Sequence, residues 1–141
     1  RGILIKKSPL HAITFSAQNC PDIVPIMSVA LANAEGISKV LDVERLRQKE
    51  SDRLLAVIEM LSLLNIRAEY SDCTLYIYGG EMSANTLSAH NDHRIAMGGA
   101  IAGTVAKGTT EIVGAECVNK SFPSFFVEHK KLGGKNNAVE L

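Results

Sequence analysis

Apolar side chains along this sequence alternate in short runs and then recur every three or four residues, and the pattern plays out twice. "ILIK" and "TLYIYG" alternate apolar and polar positions, the period of a half-buried strand. They predict strands at about residues 2–7 and 74–79, each followed by a second short strand, 12–17 and 84–88. Helical spacing takes over at about 22–35 and 92–107, with Gly36 and Gly108 just beyond, where a helix stop belongs. The β-branched stretches "ISKVLDV" and "TTEIVGA" predict a strand after each helix. A second helix closes each half, over 49–65 and 122–132. In the first of these Leu54, Val57, Ile58, Leu61 and Leu64 form a buried stripe. "RAEYSD" adds a strand between the halves.

The halves are copies. "AITFSAQNCPDI" at 12–23 laid on "ANTLSAHNDHRI" at 84–95 matches at Ala, Thr, Ser, Ala, Asn and Ile. The same shift of 72 sets "AEG" on "AKG". With one residue deleted, "KESDRLLAVIEML" falls on "KSFPSFFVEHKKL". The expected organisation is repeat one over 1–72, repeat two over 73–133 and a tail over 134–141. Each repeat is a β-β-α-β-α unit in an α/β fold with helices packed on sheets.

Composition narrows the chemistry. The 141 residues are 46% hydrophobic and 21% charged, as in a globular domain, and the 15 basic and 15 acidic residues cancel. No basic field is left for a nucleic-acid backbone, and polar groups break every apolar run short of membrane-spanning length. Three widely spaced cysteines without a C-x-x-C pair suit a reducing compartment. The chain opens in strand-like sequence on Arg1 rather than Met, which suggests a piece of something longer.

Polar residues gather where the four helices are predicted to begin, near Pro21–Asp22, Lys49–Asp52, Asn91–Arg94 and Lys120–Pro123. Helix N-termini expose free N–H groups and attract anions. Lys49, Arg53, Arg94 and Lys120 add four cations that could converge on phosphate or carboxylate, with Lys49 and Arg53 four apart on one helix face. Plainer roles are open to each. Asn91 or Asp92, and Ser121, suit helix caps. Glu50 and Arg53 suit a surface ion pair of little worth. Phe122, Phe125 and Phe126 suit core at helical spacing. His90, Asp92 and His93 lack a third His or Cys at zinc-like spacing.

Taken together, "CPDIVP", "LRQKESDR", "NDHRIAM" and "NKSFPSFF" resemble, in order and over about residues 2–133, the C-terminal part of the 5-enolpyruvylshikimate-3-phosphate synthase family. The resemblance implies a two-lobed enzyme whose lobes are inside-out α/β barrels of three repeats, two of them here. It implies transfer of the enolpyruvyl group of phosphoenolpyruvate to the 5-hydroxyl of shikimate 3-phosphate, with release of phosphate and no metal or organic cofactor. Carried over, Asp22 is the base near the attacking hydroxyl and Glu50 exchanges the proton at the methylene carbon. Lys49 binds the shikimate side, Arg53 and Arg94 the phosphoenolpyruvate carboxylate, and Lys120 and His93 its phosphate. Partners would be those two substrates and the missing N-terminal lobe of the same chain, with neither nucleic acid nor membrane, in a bacterial cytosol rather than a plastid. These 141 residues alone are expected to be inactive. The related UDP-N-acetylglucosamine enolpyruvyl transferases and a non-catalytic α/β binding module are the alternatives.

Overall fold

Proline and aspartate set where the helices begin. In the computed structural model, which describes residues 2–4 and 6–137, Pro21 opens a 3₁₀ turn, Pro21–Ile23, that runs into α1, Val24–Ala32. Pro25 sits in the first turn of α1, where a missing N–H costs nothing. Asp52 caps α2, Arg53–Leu63, accepting the Leu55 N–H at 3.1 Å. Asp92 caps α3, His93–Ala102, accepting the Arg94 N–H at 2.9 Å. α4, Phe125–Lys131, follows Ser124 without a side-chain cap; Ser121, the expected cap, instead ends a 3₁₀ turn over Ala115–Lys120.

The strands are shorter than expected, and one is placed differently. β1 (Thr14–Ser16), β2 (Ile37–Leu41), β3 (Ala68–Ser71) and β4 (Thr74–Tyr78) form a sheet in the order β1-β2-β4-β3. β1 runs parallel to β2, and β4 is antiparallel to both its neighbours. β5 (Thr86–Ser88) and β6 (Glu111–Val113) form a separate parallel pair. The strand expected at 74–79 to open repeat two is thus the second arm of a hairpin in the first sheet. Alternation fixes which face of a strand is buried, and says nothing of its partner. Residues 2–4, 6 and 7 form no strand, and residue 5 of that expected strand lies outside the described residues.

The shift of 72 survives in the backbone. Ala12 N–H donates to the Glu35 carbonyl and Ala84 N–H to the Lys107 carbonyl, both at 2.9 Å. Gly36 and Gly108 adopt φ of 102° and 109°, and a Cβ on either would stand 3.1 Å from the Cβ of Ala12 or Ala84. These glycines do not stop helices; α1 and α3 end earlier, at Ala32 and Ala102. They turn the chain at a left-handed position close against the segment that leads into β1 or β5. The shift also reaches α4 undiminished. Asp52 and Ser124 stand at equivalent N-caps, and Arg53 is matched by Phe125, so no deletion intervenes.

The larger of two core clusters joins Val40, Leu54, Val57, Leu61 and Leu64 from residues 1–72 with Leu75, Ile77, Leu87 and Ile95 from residues 73–133, and a smaller one around Ala96 and Val118 lies beside α3. The stripe expected on α2 is buried, Ile58 only partly. Of the three phenylalanines only Phe125 is core; Phe122 remains 41% exposed. Of the expected tail, residues 134–137 fold back on α4: Gly134 N–H donates to the His129 carbonyl at 2.9 Å, and Asn136 Nδ2 to that of Phe126 at 3.1 Å. Residues 138–141 lie outside the described residues. No helix among those described is long and apolar enough to cross a membrane.

Candidate active site

Because α1 and α3 pack together and α2 lies beside them, three helix starts meet at one end of the molecule. At the centre is Arg53, the first residue of α2 and completely buried. Its Nε donates to Asp92 Oδ2 at 2.8 Å and its Nη2 to Asp92 Oδ1 at 3.2 Å. Nη1 donates to Asp22 Oδ1 at 2.8 Å, and Nη2 also reaches Glu50. Of the Glu50–Arg53 pair, Arg53 is therefore anchored in the interior while Glu50 stays 44% exposed.

Asp22 also gathers Lys49 and Arg94. Lys49 Nζ lies 3.3 Å from its Oδ1, and Arg94 Nη2 donates to its Oδ2 at 3.2 Å. Lys49 is an extended residue after the 3₁₀ turn Val43–Gln48, not part of α2. It meets Arg53 on a shared carboxylate rather than along a helix face. Lys120 stands slightly apart, its Nζ 2.7 Å from both the carbonyl and the Oδ1 of Asn91. Asn91 and His90 hold the left-handed conformation, φ 54° and 50°, which Asn and His tolerate better than most. His93 is buried on the first turn of α3. His90 turns away, its Nε2 3.1 Å from Glu59.

All seven sequence-predicted site residues thus lie around the starts of α1, α2 and α3. Asp22, Lys49, Glu50, Arg53 and Arg94 form one continuous network, with Lys120 and His93 at its margin. Sequence reasoning missed the second role of Asp92 and the contact of Ser51 Oγ, 3.2 Å from Asp92 Oδ2. A signal was present: at a shift of 72 Asp92 replaces Cys20 and Arg94 replaces Asp22, so the copies carry different charge where their backbones agree.

The network is internally neutral, with Asp22, Glu50 and Asp92 against Lys49, Arg53 and Arg94. Burial pushes the Asp22 carboxyl up, but the hydrogen bond from Lys49, the Arg94 charge and the hydrogen bond from Arg53 outweigh it and hold it below the ordinary aspartate range. At Asp92 burial again pushes up and loses, to hydrogen bonds from Arg53 and the Arg94 backbone and to the Arg53 charge. Two buried polar atoms, His93 Nδ1 and Arg94 Nε, have no protein partner among the described residues. Beside Arg94 a groove of about 370 Å³ runs from the Asp22–Arg94 pair along Ile26, Met97 and Phe122.

The depressed carboxylates have a stability consequence. The unfolded chain protonates its aspartates near 3.8, before folded Asp92 does, so Asp92 contributes stability above that pH. That contribution falls as pH drops below about 4 and is gone once folded Asp92 is protonated too. Urea midpoints measured from pH 6 down to 2 are expected to fall less steeply for Asp92→Asn than for the wild type. Parallel slopes would show that Asp92 carries no such linkage.

Known proteins match this chain over most of its length. Residues 2–128 match the family model described as EPSP synthase (3-phosphoshikimate 1-carboxyvinyltransferase). The 3-phosphoshikimate 1-carboxyvinyltransferase of Clostridium acetobutylicum is 43% identical over 130 residues, 92% of this chain and 30% of the relative. That of Methanocella arvoryzae is 39% identical, across 94% of this chain and 32% of its own length. The chain therefore spans about a third of the curated relatives it matches. An EPSP synthase structure from Acinetobacter baumannii superposes with a TM-score of 0.84 at 29% identity, covering 90% of this chain and 31% of that one. The enolpyruvyl transferase NikO from Streptomyces tendae, at TM-score 0.74 and 22% identity over 92% of this chain and 30% of its own, shares the fold.

Proposed function

Because the chain belongs to the EPSP synthase family, we propose that it forms part of a transferase moving the enolpyruvyl group of phosphoenolpyruvate onto the 5-hydroxyl of shikimate 3-phosphate. The observation that carries this reading is the meeting of Asp22, Lys49, Glu50, Arg53 and Arg94, drawn from both repeats, in one network. Both substrates are polyanions, and bringing two of them together requires several fixed cations. The hydroxyl oxygen attacks C2 of phosphoenolpyruvate, an enol phosphate, as its proton leaves and another is added to the methylene carbon. Loss of phosphate and of one methyl proton then restores the double bond. Asp22 takes the hydroxyl proton, and Glu50 delivers and removes the proton at carbon. Lys49 binds the shikimate side, and Lys120 and His93 the phosphate.

Arg94 and Arg53 are not equivalent as clamps on the carboxylate. Among the described residues Arg94 Nε has no partner and its other nitrogens meet only Asp22, so an incoming anion exchanges with one half-exposed carboxylate. Arg53 has its Nε and both Nη atoms engaged, and must release Glu50 or Asp22 to contact substrate. In this reading the two repeats belong to a larger lobe, opposite a second lobe that supplies further cations, in a cytoplasmic enzyme.

The test is phosphate release. A polypeptide of the relatives' full length carrying these residues is expected to release phosphate from phosphoenolpyruvate when given shikimate 3-phosphate. Turnover with UDP-N-acetylglucosamine instead would reassign the acceptor. The 141 residues alone are expected to give no turnover, while the amide signals of Arg94 and Lys120 shift with millimolar shikimate 3-phosphate.

A further inference from the structure

Asp92 grips Arg53 side-on. Its two oxygens take Nε–H at 2.8 Å and one Nη2–H at 3.2 Å, and both side chains are shut off from solvent. A guanidinium has five N–H donors in a rigid plane, so this grip fixes where the other three point. Of these, one on Nη1 donates to Asp22 at 2.8 Å and the one left on Nη2 to Glu50. Asp92 is itself immobilised by the Arg94 N–H at 2.9 Å and by Ser51 Oγ at 3.2 Å. We propose that Asp92 is a positioning residue that, through Arg53, sets the places of both Asp22 and Glu50. What those carboxylates do rests on the enolpyruvyl-transfer reading; how they are held does not.

The plainer account makes Asp92 a helix cap with a stabilising ion pair. Buried ion pairs, however, rarely beat apolar pairs of the same volume in stability. Neither residue keeps its charge at a shift of 72: Asp92 falls on Cys20, whose Sγ donates to the Ser16 carbonyl, and Arg53 on Phe125, which is core. Asn and Ser cap as well as Asp. Neither can offer two anionic oxygens to Arg53. Substituting them therefore removes the grip and leaves the cap.

In the 141-residue wild type, NMR of the Arg53 side chain should show a sharp Nε–H and separately resolved Nη protons, the signature of a guanidinium unable to rotate. An averaged Nη signal in the wild type would overturn the proposal, whatever the protein's activity. In Asp92→Asn and Asp92→Ser the Nη signals should merge. In the full-length polypeptide kcat should fall about 100-fold, the effect of small misplacement of reacting groups, with KM little changed. Signals that stay resolved in both variants, or a loss of kcat that only follows falling melting temperature, would reduce Asp92 to a cap.

Discussion

Arg53→Met is expected to cost this chain roughly 3–5 kcal/mol of stability, the range for removing one partner from a buried ion pair. The substitution keeps much of the side-chain volume, so no large cavity forms. Its cost lies in what remains: Asp92, fully buried, loses both donors of its bidentate contact and keeps only the Arg94 N–H and Ser51. Asp22 and Glu50 also lose a common cation but can turn to solvent. Domains of this size are stable by only about 5–15 kcal/mol, so a large share of the total is at stake. Urea unfolding of Arg53→Met should show it directly. The double variant Arg53→Met/Asp92→Leu supplies the control, because with no charge left buried most of the loss should be recovered. A single variant within about 1 kcal/mol of wild type would mean that the ion pair is far better solvated than its burial indicates.

That arginine also marks where the sequence stops being informative. The stripe on α2 was legible because it depends on residues three and four apart. The repeat was legible because a shift of 72 preserves side chains, and it proves to preserve backbone hydrogen bonds as well. Burial of Arg53 depends on Asp92, 39 residues away, and no local pattern distinguishes it from a solvated charge. The same limit explains β4, whose alternation gave a strand but not its neighbours. Aligning Lys49 with Lys120 matched residue types across a one-residue gap, whereas the structure matches Arg53 with Phe125. Side-chain identity misled there because none of residues 49–53 keeps its type at a shift of 72. The charged cluster could still be located, since four cations beside helix starts imply an anion whatever their pairing.

Asp22→Asn is expected to lower kcat of the full-length polypeptide by about 10²–10⁴-fold, the usual contribution of a positioned general base. Asn keeps the shape of the side chain and can still accept a hydrogen bond from Arg53 or Arg94, so the site should stay assembled. It cannot take a proton. Affinity should move the other way: without the carboxylate, Lys49 and Arg94 are released from their present partner, and KM for phosphoenolpyruvate should stay level or fall. The sign of the pH effect follows from the same contacts. Asp22 is held below the ordinary aspartate range, so it is ionised throughout the range above about pH 4, and a rise in kcat/KM near neutrality belongs to another group. A carboxylate so stabilised is a weak base. Substrate anions that draw Lys49 and Arg94 away from it raise its proton affinity at the moment a proton has to be taken. Turnover of Asp22→Asn within tenfold of wild type would remove the base role from Asp22, leaving it as the counter-ion that holds Lys49, Arg53 and Arg94 in register.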